Sequence, residues 1–210
     1  MLLRKINSFL SMVKKIGLPN FMIGYINFFF FNLLRFFFNF EKWHVTNPYN
    51  LAPYKSYLVK IINDLKSECT IDVGCGLGEI LFRANSKKKI GIDISPNVIR
   101  ANKFIYFFSN IEWRIGSFDL IQDLNLKKVD LICIINFMHV IPPCKLKKKL
   151  LIISKHSKYL LIDVWNDKPE VNKIFIHDFH YLHETMKLIN KVTFKDSNKQ
   201  YLVFKNKIIS

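Results

Sequence analysis

Arginine is scarce in this chain of 210 residues: it supplies five of the 32 basic side chains, and lysine supplies the other 27. Set against 16 acids, they leave a formal charge of +16. Arginine is the side chain whose planar fork grips phosphate at two points, so its shortage weakens any inference from charge to nucleic acid. Solvated lysine in an Asn-, Ile- and Phe-rich composition, of the kind AT-rich coding produces, accounts for the charge without a partner. Attraction to nucleic acid or to an anionic membrane surface is the functional alternative. Cysteine is rare as well. Cys69, Cys75, Cys133 and Cys144 form no C-x-x-C pair, and a domain of this size needs no staples, so reduced thiols in a cytoplasmic protein are expected. No small-residue cleavage site follows the basic residues Arg4, Lys5, Lys14 and Lys15, so no secretory signal is read there. Neither an internal repeat nor a low-complexity linker divides the chain. The length suits one α/β domain with an extension.

What is present begins with an apolar stretch over 21–40, expected to be helical. It has the roughly 20 residues that a membrane span requires, but Asn27, Asn32, Arg35 and Asn39 interrupt it. Asn32, Arg35 and Asn39 recur at steps of three and four, which places them on one helical face. Phe29, Phe30, Leu33, Phe36, Phe37 and Phe40 cover much of the rest. Such a helix can pack on the main domain or on a second subunit, lie on a membrane with lysines at the headgroups, or span it. We take residues 1–45 as this extension and 46–210 as the main domain. Between them, Trp43-His44, Asn47-Pro48-Tyr49 and Pro53-Tyr54 form a turn-rich aromatic link, read either as a lid or as linker packing.

The rest of the chain alternates. Strands are expected over 69–73, 88–94, 110–115, 128–136 and 159–165, and helices over 51–66, 78–86, 96–108 and 145–154. A further helix is expected over 179–189. A closing hairpin of 192–196 and 200–205 would turn around Ser197-Asn198-Lys199. This is the pattern of a Rossmann-like α/β fold: a mostly parallel sheet with one reversed strand near its edge and helices on both faces. Ligands in such sheets bind beyond the carboxyl ends of the strands. Those ends carry the stretch T-I-D-V-G-C-G-L-G-E-I from Thr70 to Ile80, Asp93, Ser117–Asp119 and Asn136–His139.

The glycine stretch has the form G-x-G-x-G, with Glu79 where a dinucleotide loop would have its third glycine. An acid at that helix start opposes a pyrophosphate but not a cofactor bearing a sulfonium and an ammonium, and Asp72 points the same way. No Gly-Lys-Ser/Thr follows, which excludes a P-loop. Asp93, 17 residues beyond Gly76, is placed to accept hydrogen bonds from a ribose.

With D-V-G-C-G-L-G-E, G-I-D-I-S and D-L-I-C-I-I-N-F-M-H-V-I-P-P together, residues 69–165 resemble the class I S-adenosylmethionine-dependent methyltransferases. The resemblance implies a seven-stranded sheet. It implies that Asp72, Gly74, Cys75, Gly76 and Gly78 hold the methionine part of S-adenosylmethionine and that Asp93 holds the ribose, with Ile94 also in the cofactor set. Where family members often carry G-D for adenine, this chain has Gly116-Ser117, so Ser117, Phe118 or Asp119 would serve; Asn136 completes the cofactor set. The W-H before a P-Y-rich helix, with M-H-x-I-P-P later, is similar to small bacterial methyltransferases, some of which decorate surface sugars. The expected activity is methylation of a small-molecule or sugar acceptor at oxygen or nitrogen, in the cytoplasm or peripherally on the inner face of the membrane. The alternatives are an RNA methyltransferase using the basic surface, and a non-catalytic cofactor-binding or membrane-associated scaffold.

A hydroxyl acceptor needs a general base, most often histidine. His139, His44, His177 and His180 are the candidates, with Tyr54 beside them at the link. The run H-D-F-H-Y-L-H brings His177, His180 and His183 to steps of three, but this is not the i, i+4 pair of the metalloprotease motif, and no metal is expected.

Overall fold

The run C-T-I-D-V puts Cys69, Ile71 and Val73 on one side of its pleat and Thr70 and Asp72 on the other, and it becomes the central strand, β1 (Cys69–Val73), with every residue buried. The structure, a computed structural model, describes residues 10–124, 129–165, 174–194 and 199–209. Arg4, Lys5, Ser197 and Asn198 lie outside the described residues.

After β1 come α3 (Glu79–Arg83), β2 (Lys88–Asp93), α4 (Pro96–Ile105), β3 (Ile111–Ile115), α5 (Leu120–Asp123) and β4 (Val129–Ile134). Then follow α6 (Pro143–His156), β5 (Ser157–Trp165), β6 (Met186–Thr193) and β7 (Lys199–Asn206). Before β1 stand α1 (Leu18–Phe38) and α2 (Pro53–Asp64). The seven strands run in the order β3-β2-β1-β4-β5-β7-β6. All pairings from β3 across to β5 are parallel, and β7 inserts antiparallel between β5 and β6. The expected Rossmann-like sheet with helices on both faces is therefore present. The chain reverses its direction of travel between β1 and β4, and this switch leaves a crevice at their carboxyl ends.

The period of two in the strands divides the core. Ile132 and Ile134 face the cluster that holds Leu146, Leu150 and Ile153 of α6. Leu131 and Cys133 face the cluster that holds Leu58, Ile61 and Ile62 of α2. Gly91 in β2 gives Trp113 of β3 its place, since a Cβ there would meet the indole at 2.4 Å.

One expected element is corrected. Residues 179–189 do not form a helix: a short 3₁₀ turn, His180–Glu184, is followed directly by β6. Phe179, Leu182 and Met186 are buried and carry the helical spacing. Beyond Met186 the chain pairs with β7 instead, through a bulge between Leu188 and Asn190. β6 is an edge strand that buries little besides Met186, so its alternation was too weak to declare a strand.

Helix α1 is longer at its start than expected and packs lengthwise on the main domain. Gly24 admits Leu51, which a Cβ would meet at 2.5 Å. Phe31, Leu34 and Phe40 join Val45, Leu77, Val98 and Ala101 in one cluster. Asn27 donates to the Asn50 side chain at 3.4 Å, and Asn97 donates to the Asn39 carbonyl at 2.7 Å.

Substituting Gly91→Ala forces a methyl into Trp113 and should cost about 1–3 kcal/mol, the usual penalty of overpacking. Urea denaturation checks this, and an unchanged midpoint would show that the indole moves aside freely.

Candidate functional site

The glycine loop is shaped by bonds to the strand beside it. Gly74 and Cys75 both donate to the Ile92 carbonyl, at 2.8 and 3.0 Å. The Gly76 amide donates to Asp93 Oδ2 at 2.9 Å, and Asn102 Nδ2 donates to the Gly76 carbonyl at 2.7 Å. Gly76 sits at φ 52°, a left-handed conformation that favours glycine. A Cβ there would have only His44 Nδ1 within reach, at 3.4 Å. Gly78, also left-handed, presses on Trp113, where a Cβ would stand at 2.2 Å.

Around this loop opens a cavity of about 850 Å³. Its donor end is lined by Asp72, Gly74, Cys75, Gly76, Gly78, Asp93, Ile94, Ser117 and Phe118, and Asn136 lies on the wall beyond. All ten cofactor residues named from the sequence thus face one space. Asp93 Oδ1 also accepts from Ser95 N at 2.9 Å, so each carboxylate oxygen makes one backbone bond and keeps a second lone pair.

Asp72 is buried, and its carboxyl is pushed up to about 7, first by desolvation and then by the neighbouring Asp93, with Lys55 pulling the other way. Two buried acids with one nearby cation suit a positively charged ligand. Glu79 does not add to that unmatched charge, contrary to its expected part in selecting the cofactor. Its oxygens accept from Tyr49 N at 2.8 Å and from Lys55 Nζ at 2.6 Å, so it clasps the link to the helix after the loop.

The far end of the cavity is polar. Asn136, left-handed at φ 71°, donates its amide N–H to Asp163 Oδ1 at 2.8 Å and its Nδ2 to the Tyr54 hydroxyl at 3.2 Å. Lys199 Nζ bonds Asn136 Oδ1 and Asp163 Oδ2, both at 2.8 Å, and lies 4.5 Å from the centre of the Trp165 ring. Phe137 and Trp165 complete this wall.

The five base candidates separate. His44 and Tyr54 line the cavity; His139, His177 and His180 do not. The His44 side chain is 1 % exposed, stacks on Trp43 and makes no hydrogen bond through either ring nitrogen. Burial lowers its pKa against the pull of Asp93 and Glu41, which keeps it neutral. His139 packs edge-on against Trp165. His177 bonds the Met138 carbonyl at 2.9 Å. His180 is exposed, 3.7 Å from Asp178. Lys199 and Trp165 went unnoticed in the sequence because only strand pairing between β5 and β7 brings them to the cavity.

A methyltransferase-domain family matches residues 65–206, and the chain belongs to that family. Among curated proteins, none matches the chain in sequence. The fold is similar to magnesium protoporphyrin IX methyltransferase of Synechocystis PCC 6803, solved with bound SAM. That likeness has 11 % identity and a TM-score of 0.57, and covers 73 % of this chain and 80 % of that one. It is also similar to the N-methyltransferase NodS of Bradyrhizobium japonicum WM9, solved with S-adenosyl-L-homocysteine. Here the identity is 15 % and the TM-score 0.61, with 77 % and 89 % of the two chains covered. At these identities the likenesses establish the fold.

Asp72 also sets a pH dependence. Its folded pKa of about 7 lies above its ordinary 3.8, so between these values the native state holds the proton more tightly than the unfolded chain. Stability of the ligand-free protein should therefore fall as pH rises from about 4 through 7. Asp72→Asn should flatten that limb in urea titrations at several pH values; an identical slope in the variant would show that another group titrates there.

Proposed function

We propose that this protein transfers a methyl group from S-adenosylmethionine to an oxygen or nitrogen of a small-molecule or sugar acceptor. The observation that carries the proposal is the continuity of the cavity, with the glycine loop at one end and the Tyr54–Asn136–Lys199 network at the other. Its volume lies toward the upper end of the roughly 300–1,000 Å³ typical of small-molecule sites, which suits a cofactor and an acceptor together. The fit to the cofactor rests on two features: the open left-handed Gly76, where a Cβ would fill the cradle, and the uncompensated acids Asp72 and Asp93.

When bound, S-adenosylmethionine supplies a methyl group already activated by its sulfonium. The protein's work is then mostly alignment, which can lower a barrier by about 7–11 kcal/mol. Asp72 and the loop of Gly74, Cys75, Gly76 and Gly78 receive the methionine part. Asp93 offers its remaining lone pairs to the ribose. Ile94, Ser117 and Phe118 form the adenine side. Neutral His44, over Gly76, closes the donor end and excludes water there. Tyr54 stands at the acceptor end; since its oxygen accepts from Asn136, its own proton is free to orient an acceptor heteroatom. His139 steadies Trp165 from behind.

Isotope-labelled methyl transfer into an extract of the native host is the direct test. A labelled small molecule or saccharide is the expected product. Labelled RNA would move the acceptor to nucleic acid, and cofactor binding with no labelled product would make the protein a scaffold. With the product in hand, Tyr54→Phe should lower kcat about 100-fold, the order expected for losing a proton-handling group, with calorimetric cofactor affinity unchanged. Wild-type kcat in that variant would remove Tyr54 from the acceptor site.

A further inference from the structure

Helix α1 buries Phe21, Gly24, Phe31 and Leu34 against the domain, and its outer side is apolar as well. Its polar Asn20 and Asn27 turn toward the domain and meet Asn50. Its outward face is apolar throughout: Met22, Ile26, Phe29, Leu33 and Phe36 succeed one another at steps of three and four, and Phe37 stands four after Leu33, all exposed, with Phe36 at 80 %. The apolar surface does not end with the helix. Phe38 meets Phe104 of α4 at 5.8 Å between ring centres, and the chain after α4 exposes Phe107 and Phe108, the latter at 98 %. Together these side chains present on the order of 1,000 Å² of apolar surface, above the few hundred Å² that a soluble monomer usually exposes.

Two separate elements contribute to this surface, and α1 is held lengthwise by Gly24, Phe31, Leu34 and Phe40. A transmembrane placement would have to strip those contacts away. Charge decides between the remaining occupants. Lys14, Lys42, Arg100 and Lys103 are exposed and flank the patch residues along the chain, and Glu41 beside Lys42 is exposed as well. A second copy would bring another +16 charge against this one, whereas an anionic bilayer complements it.

We propose that the outward face of α1, continued by Phe104, Phe107 and Phe108, seats this protein on the surface of an anionic lipid bilayer. The aromatic rings enter the headgroup–acyl boundary and the lysines remain among the headgroups. Trp43, six residues after Phe37, lines the cavity, so the cavity mouth lies within about 20 Å of chain from the seated face. The proposal stands whether or not the acceptor is the one suggested above.

Flotation of the full chain with vesicles tests it. Equimolar phosphatidylglycerol and phosphatidylcholine should retain about tenfold more protein than phosphatidylcholine alone, and added salt should narrow the difference. The paired variants Phe36→Ser/Phe37→Ser and Phe107→Ser/Phe108→Ser should each lower retention about fivefold or more. Calorimetric S-adenosylmethionine affinity should stay unchanged in both, which separates docking from the cofactor site. Unchanged retention in both variants overturns the proposal. So does a lipid-free dimer, seen by light scattering, that these substitutions dissociate, and so does retention through alkaline carbonate, which marks a spanning helix.

Discussion

The hydrogen bond from the Gly76 amide to the Asp93 carboxylate is the contact on which the site depends. It ties the turn after β1 to the end of β2, and it forms only if the two strands are parallel neighbours in the register Val73 to Ile92. It also needs glycine at a left-handed position and an acid that accepts burial. Asn102 holds the carbonyl of the same residue, so both backbone polar groups of Gly76 are fixed by side chains from the β2–α4 unit. Trp113, reaching back under Gly78 and Gly91, fills the space that two missing Cβ atoms leave. The loop is thereby rigid before any ligand arrives, and preorganised backbone dipoles are what a binding site of this kind uses.

The cost of that rigidity appears in the charges. Asp72 and Asp93 lie close in a low-dielectric pocket, and Asp72 responds by holding its proton to about pH 7. Lys55 is committed to Glu79 at 2.6 Å. The two acids therefore remain short of positive charge until something cationic enters. At the other end of the cavity the balance is closed: Lys199, Asp163, Asn136 and Tyr54 satisfy one another. One end is electrostatically incomplete and the other complete, which gives the cavity a direction.

Much of this was legible beforehand, and the reasons are local. The five parallel strands announce themselves because each is a short apolar or alternating run followed or closed by Gly, Asp or Asn. That Asp72, the glycine loop, Asp93 and Ile94 face one cavity was legible because sequence spacing fixes them within and just after one βαβ unit. The first arm of the closing hairpin was expected to begin at 192, whereas β6 begins at Met186, because its partner is a later strand and its own pattern is mostly exposed. Lys199 and Trp165 were missed for the same reason: distant segments meet only in the folded sheet. The histidines misled in a different way. His139 follows β4 at the right place in the chain, yet the 3₁₀ turn at Met138–Val140 puts Val140 on the cavity wall and His139 behind it. Sequence position selects the loop; half a turn of backbone selects the side chain.

The two-sided apolar helix α1 has a consequence for the order in which the molecule is made. Every residue that α1 packs on, from Val45 and Leu51 to Leu77, Val98 and Ala101, is encoded after it. At synthesis rates of about 5–20 residues per second, roughly 3–13 s pass between completion of α1 and the arrival of Ala101. Through that interval the helix has neither its packing partners nor its buried face covered, so both of its sides are apolar surfaces seeking cover. With the docking proposed above, a bilayer close to the ribosome would meet this helix before the sheet exists. The growing chain can then be tethered first and folded second, with the glycine loop assembling beside a helix that has already found its place.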